Sequence, residues 1–123
     1  MSIAPVEVEE EGGDEFPFPG EALQAGQGLV VVKRGPNAGS TFLIENDVTT
    51  VGRGTDRDIF LDDITVSRKH AEIRREGSDF VIQDQGSLNG TYVNRERVDS
   101  SSLATGDEIQ IGKFKLAFFR AGE

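Results

Sequence analysis

From Gly28 onward the chain is cut into short runs rich in Val, Ile, Phe and Thr, separated every eight to twelve residues by Gly, Asn or Asp. Punctuation at that interval is too frequent for helices of ordinary length and matches an all-β sandwich of two antiparallel sheets. The candidate strands are about Leu29–Arg34, Thr41–Glu45, Thr49–Gly52, Ile59–Leu61, Ala71–Arg75, Phe80–Gln83, Thr91–Val93, Glu108–Ile111 and Phe114–Phe119. In Phe114-Lys115-Leu116-Ala117-Phe118 the side chains alternate with period two, as expected where one face packs inward and the other meets water. No segment carries an apolar stripe through three helical turns, so helix content should be close to nil. Gly35-Pro36-Asn37-Ala38-Gly39 reads as a tight reversal and Glu76-Gly77-Ser78-Asp79 as a hairpin loop.

A length of 123 residues allows one domain with a proper core and excludes two. The formal charge is −9, but residues 1–27 hold seven carboxylates and no Lys or Arg, so residues 28–123 carry only −2. That acidic, glycine- and proline-containing stretch cannot bury enough apolar area to offset the entropy of ordering, and it reads as a flexible N-terminal arm. Phe16 and Phe18 are its only aromatics. A nearly neutral body without an extended basic stripe argues against nucleic acid as the main partner. There is no cysteine, hence no disulfide or thiolate metal site. No apolar run approaches the roughly 18 residues of a membrane span, and no signal peptide is evident, so a cytoplasmic monomer without membrane contact is expected.

Three segments carry the chemistry: Gly52-Arg53, Ser67-Arg68-Lys69-His70, and Gly86-Ser87-Leu88-Asn89-Gly90-Thr91. Arg53 follows a strand, and its planar fork of donors matches phosphate oxygens. The bland alternative for Arg53 is a surface arginine paired with Asp56 or Asp58. Ser67 offers a hydroxyl and Arg68 a second cation to the same anion. Asn89 is suited to bonding a passing backbone, beside a turn at Gly90. His70, the only histidine, invites a catalytic reading with Ser67. Nothing nearby resembles a nucleophile elbow, so a structural ring bonded to loop backbone is the better reading. Asp56, Asp58, Asp62 and Asp63 fail the calcium-loop pattern, because Leu61 and Ser67 stand where Gly and Glu are needed. No metal, cofactor or catalytic residue is assigned.

In this order and spacing, the three segments resemble the signature of forkhead-associated (FHA) domains: Gly-Arg, Ser-x-x-His about fifteen residues on, and Asn-Gly about twenty further. The resemblance covers roughly residues 28–120 and includes Gly106-Asp107-Glu108-Ile109-Gln110-Ile111-Gly112. It implies a sandwich of about eleven strands, two more than the pattern reveals, and a non-catalytic module that binds phosphothreonine-containing proteins in Ser/Thr kinase signalling. Carried over residue by residue, it makes Arg53 and Ser67 phosphate ligands, Arg68 an assisting cation and Asn89 the contact to the peptide main chain. Gly52, His70 and Gly90 become framework positions, with Ser87 a lesser candidate for ligand contact. The implied preference for phosphothreonine over phosphoserine is worth only about 1 kcal/mol by methyl burial, so geometry should contribute as well.

The runs Leu29–Ser40, Asp58–Asp63 and Ser87–Arg95 are most similar to the small bacterial GarA/OdhI-type FHA regulators. That likeness implies a second role: binding and inhibiting 2-oxoglutarate dehydrogenase, and acting on glutamate-metabolising enzymes, when unphosphorylated. In that group a threonine pair in the N-terminal arm is phosphorylated and the arm then occupies its own domain. Residues 1–27 here contain no threonine, and Ser2 is their single hydroxyl residue.

Overall fold

The computed structural model describes residues 23–121; the arm proposed from composition, with Phe16 and Phe18, falls largely outside them. Eleven strands follow in chain order: β1 (Gly28–Arg34), β2 (Thr41–Ile44), β3 (Val48–Gly52), β4 (Ile59–Phe60), β5 (Ala71–Glu76), β6 (Asp79–Asp84), β7 (Thr91–Val93), β8 (Glu96–Val98), β9 (Ser100–Leu103), β10 (Glu108–Ile111) and β11 (Phe114–Arg120). They form a six-stranded sheet ordered β2-β1-β11-β10-β7-β8 and a five-stranded sheet ordered β4-β3-β5-β6-β9. Only the β3–β4 pair is parallel; the other ladders are antiparallel. The described residues contain no helix, and hence none long and apolar enough to cross a membrane.

The core lies between the sheets and is assembled by alternation. Val30 and Val32 on β1, Leu116 and Phe118 on β11, and Ile109 and Ile111 on β10 point inward from one sheet. Val51 on β3, Ile73 on β5, and Phe80 and Ile82 on β6 meet them from the other. The rings of Phe80 and Phe118 join the two layers, with centroids 5.4 Å apart and planes tilted by 60°. Such a tilted pair contributes about 0.5–1.5 kcal/mol beyond the area it buries.

The two strands that the sequence pattern did not reveal are β8 and β9. Each is an edge strand, and each commits little to the interior: Val98 packs against the core from β8 and Leu103 from β9. Polar edges of this kind blunt sheet-to-sheet aggregation, and they also hide the strand from hydrophobic periodicity.

At one end of the sandwich the long β4–β5 connection is pressed against both sheets through glycines. A Cβ on Gly52, the last residue of β3, would collide with the Arg68 carbonyl oxygen, and one on Gly112, between β10 and β11, would collide with Thr65 Oγ1. The loop is therefore seated on the five-stranded sheet at Arg68 and on the six-stranded sheet at Thr65. Lys113 N–H donates to Thr65 Oγ1 at 3.0 Å, and Thr65 in turn donates through its hydroxyl to Asp63 at 2.6 Å. Gly52→Ala should lower the stability by about 2–3 kcal/mol, since the obstructing atom is backbone and cannot swing aside; urea unfolding of the variant against the parent measures it.

Candidate functional site

Three loops meet at that end: residues 53–58 after β3, 61–70 before β5, and 85–90 between β6 and β7. Backbone bonds zip the first two together. Arg53 N–H donates to Ser67 O at 3.0 Å and Gly54 N–H to Arg68 O at 3.2 Å. The imidazole of His70, fully buried, joins the second loop to the third. Its Nδ1 accepts the Ser67 backbone N–H at 3.0 Å, and its Nε2 lies 2.9 Å from Gly90 O. An acceptor at Nδ1 requires the proton on Nε2, so the ring is neutral and donates to Gly90.

Arg53 is held by its stem side. Nε donates to Val66 O at 3.1 Å, and no described residue bonds the terminal nitrogens. The pairing with Asp56 or Asp58 that a surface arginine would make is absent among the described ion pairs. Asp56 is taken by Arg57 at 3.0 Å, and Asp58 accepts from Thr50 N–H at 2.9 Å and from Thr50 Oγ1 at 3.1 Å. The guanidinium fork is oriented and left without a counter-ion among the described residues.

Ser67 Oγ accepts the Leu88 N–H at 3.0 Å, which leaves its own O–H free to donate. His70 bonds the Ser67 backbone rather than its hydroxyl, so the pair has no nucleophile–base geometry. The side chain of Arg68 is exposed, with no bonded partner among the described residues. Asn89 Nδ2 donates to Thr65 O at 2.9 Å, tying the third loop to the second while its Oδ1 stays available. The structure thus brings Arg53, Ser67, Arg68 and Asn89 to adjoining loops.

Ser87 is placed differently from the ligand-facing role considered for it. Its hydroxyl donates to Asp84 Oδ1 and accepts the Gly90 N–H at 3.0 Å, so it braces the loop and has no donor left for a ligand. The partner in that brace, Asp84, was not singled out in the sequence. Asp84 also accepts from Thr91 Oγ1 at 2.7 Å, from Gly86 N–H at 2.9 Å and from Ser87 N–H at 3.0 Å. Burial pushes its carboxyl up, but these donors, Ser87 Oγ foremost, outweigh burial and hold it below the ordinary value. The signal for it lay in the spacing Asp84-x-x-Ser87, an Asx-type brace before Asn-Gly.

A recess of about 320 Å³ adjoins Asn89, lined by Thr65, Tyr92, Gln110, Gly112 and Lys113 as well. Ile64 and Leu88, on the second and third loops, are 90 % and 84 % exposed.

The FHA domain family model matches residues 49–112, which contain all three loops. This chain belongs to the FHA domain family. It is 65 % identical over 98 residues to the glycogen accumulation regulator GarA of Mycolicibacterium smegmatis, covering 80 % of this chain and 62 % of that protein. It is 58 % identical over 110 residues to an oxoglutarate dehydrogenase inhibitor of Corynebacterium jeikeium, covering 89 % of this chain and 76 % of that one. Among solved structures, one described by phosphothreonine-dependent FHA domain interactions superposes with a TM-score of 0.71 at 32 % identity, over 79 % of this chain and 98 % of that chain. The chain spans about three-fifths of the length of the GarA relatives it matches.

Two consequences can be measured. Burial lowers the pKa of His70 against the smaller opposing effects of the Gly90 carbonyl and the Asp84 charge. The unfolded chain then binds the extra proton first, so His70's contribution to the FHA fold is complete above its ordinary value of 6.5 and is lost as pH falls toward the folded value. Urea midpoints should therefore fall between pH 7.5 and pH 5, a decline that His70→Gln removes; aspartate losses set in only further down. Asp84→Ala, which orphans four donors, should cost about 1–3 kcal/mol, and thermal unfolding followed by near-UV circular dichroism reports it.

Proposed function

We propose that this FHA domain binds phosphothreonine-containing segments of other proteins and acts by docking rather than by catalysis. The observation that carries the reading is the state of Arg53. Its Nε is pinned to Val66 O, and no described carboxylate pairs with its terminal nitrogens, so a planar pair of donors is oriented and uncompensated among the described residues. A dianionic phosphate meets that need with charge-assisted hydrogen bonds. Ser67 Oγ–H supplies a further donor, Arg68 a second cation, and Asn89 Oδ1 an acceptor for the main chain beside the phosphothreonine. The 32 % identical structure described by phosphothreonine-dependent interactions supports the same reading. Ser/Thr kinases in the cytoplasm are the natural source of such ligands.

A second reading is that the same loops grip 2-oxoglutarate dehydrogenase, or an enzyme of glutamate metabolism, without any phosphate. It is favoured by the relative named as an oxoglutarate dehydrogenase inhibitor and by Ile64 and Leu88, whose exposure a phosphate contact does not require. Phosphatase treatment of the partner separates the two, since it ends binding in the first case and spares it in the second.

The decisive titration uses matched phosphothreonine, phosphoserine and unmodified peptides in a calorimeter. The phosphothreonine peptide should bind, and Arg53→Ala should weaken it by about 1.5–3 kcal/mol or more, the range for a hydrogen bond to a charged group. Equal binding of the unmodified peptide would remove the phosphate-reading proposal.

A further inference from the structure

One row of side chains crosses the outward face of the six-stranded sheet and begins beside the phosphate-site loops. Directly opposed residues on neighbouring strands share a face. The register sets Arg97 opposite Tyr92, Tyr92 opposite Gln110, Gln110 opposite Lys115, and Lys115 opposite Arg34. Their sequence neighbours Val93, Ile109, Ile111 and Leu116 fill the core, so the row itself looks outward. At Tyr92 and Gln110 it borders the recess next to Asn89 and Thr65. At its β1 end it opens into a second recess of about 390 Å³, where Lys33, Arg34, Arg95 and Lys115 stand with Asp107 and Glu108.

In this second recess the two described carboxylates are bonded elsewhere than at Arg34 and Arg95. Asp107 is occupied by Asn94 Nδ2 at 3.0 Å and by Ala104 N–H at 2.8 Å, and Glu108 faces Lys115 at 4.0 Å. Among the described residues no carboxylate pairs with Arg34 or Arg95. Arg95 also occupies a backbone conformation with φ 72°, after Asn94 at φ 51°, in the two-residue turn between β7 and β8. Glycine is the usual second residue of such a turn, so an arginine there is held under strain.

We propose that the row is a track for the polypeptide bearing the phosphothreonine, and that the basic recess at its far end takes an acidic segment of that same partner. The proposal rests on the phosphothreonine reading and adds to it a preference away from the phosphate. Three interstrand steps separate Tyr92 from Arg34, roughly 14 Å at about 4.8 Å each, which an extended chain covers in four or five residues. The preferred carboxylates therefore lie about five to eight residues from the phosphothreonine, beyond the reach of the Arg53 loop.

The test titrates the full chain with three phosphothreonine peptides: a short core, the core with three glutamates added at that distance on the C-terminal side, and the same on the N-terminal side. One tail should tighten binding by about fivefold to tenfold at low ionic strength, and the gain should shrink as salt is raised. The double variant Arg34→Gln, Arg95→Gly should lose the gain while binding the short core like the parent, since glycine suits the turn at position 95. Equal affinity of tailed and short peptides, or a gain that survives the double variant, would overturn the track. Failure of the parent to bind even the short core would bring down the phosphothreonine reading itself, and the track with it.

Discussion

The binding end of this molecule depends on one buried imidazole. His70 takes a backbone N–H from Ser67 on one nitrogen and gives its proton to the Gly90 carbonyl on the other, so it holds two loops in a single relation. No other neutral side chain offers a donor and an acceptor at fixed opposite corners of a rigid ring. Burial lowers the ring's pKa and so favours the neutral state that the arrangement needs, because the charged ring would lose the Nδ1 acceptor. The histidine that first suggests catalysis is thereby a fastening between two loops of the candidate site.

Around that fastening, the loops divide their polar groups between those bonded internally and those left without an internal partner among the described residues. Asp84 and Ser87 satisfy each other and the backbone of residues 86–91. Asp56 and Asp58 are consumed by Arg57 and Thr50. What stays unbonded is chiefly cationic or donor-bearing, the Arg53 fork, the Ser67 hydroxyl and Arg68, with Asn89 Oδ1 as an acceptor beside them. A site organised before its ligand arrives loses less entropy on binding, so its affinity can rest on few contacts. The same holds on the outward face of the six-stranded sheet, where Arg34 and Arg95 have no carboxylate partner among the described residues.

Much of the fold was legible because a strand with one wet face writes its burial into alternate letters. Phe114, Leu116 and Phe118 on β11, and Ile109 and Ile111 on β10, show it plainly. Glu96–Val98 and Ser100–Leu103 escaped, since an edge strand with one inward residue carries no period to detect. The loops carrying the candidate site could be located by their spacing and turn formers. The use of each side chain could not: Ser87 and Asn89 stand two residues apart in similar surroundings, yet one hydroxyl faces inward and the other side chain bridges to Thr65.

The sequence by itself determined the β class, the family signature and the separation of an acidic stretch from a nearly neutral body, because these rest on residue type and local spacing. Only the tertiary structure decided how the charges of the loops are used, since the Nε of Arg53 is bonded to Val66 O on another loop and no described carboxylate pairs with its terminal nitrogens. It also decided that Arg34, Lys115, Gln110, Tyr92 and Arg97 form one row, although they lie as far apart as residues 34 and 115. Strand register, set by packing across the whole sheet, makes neighbours of residues that the sequence keeps apart.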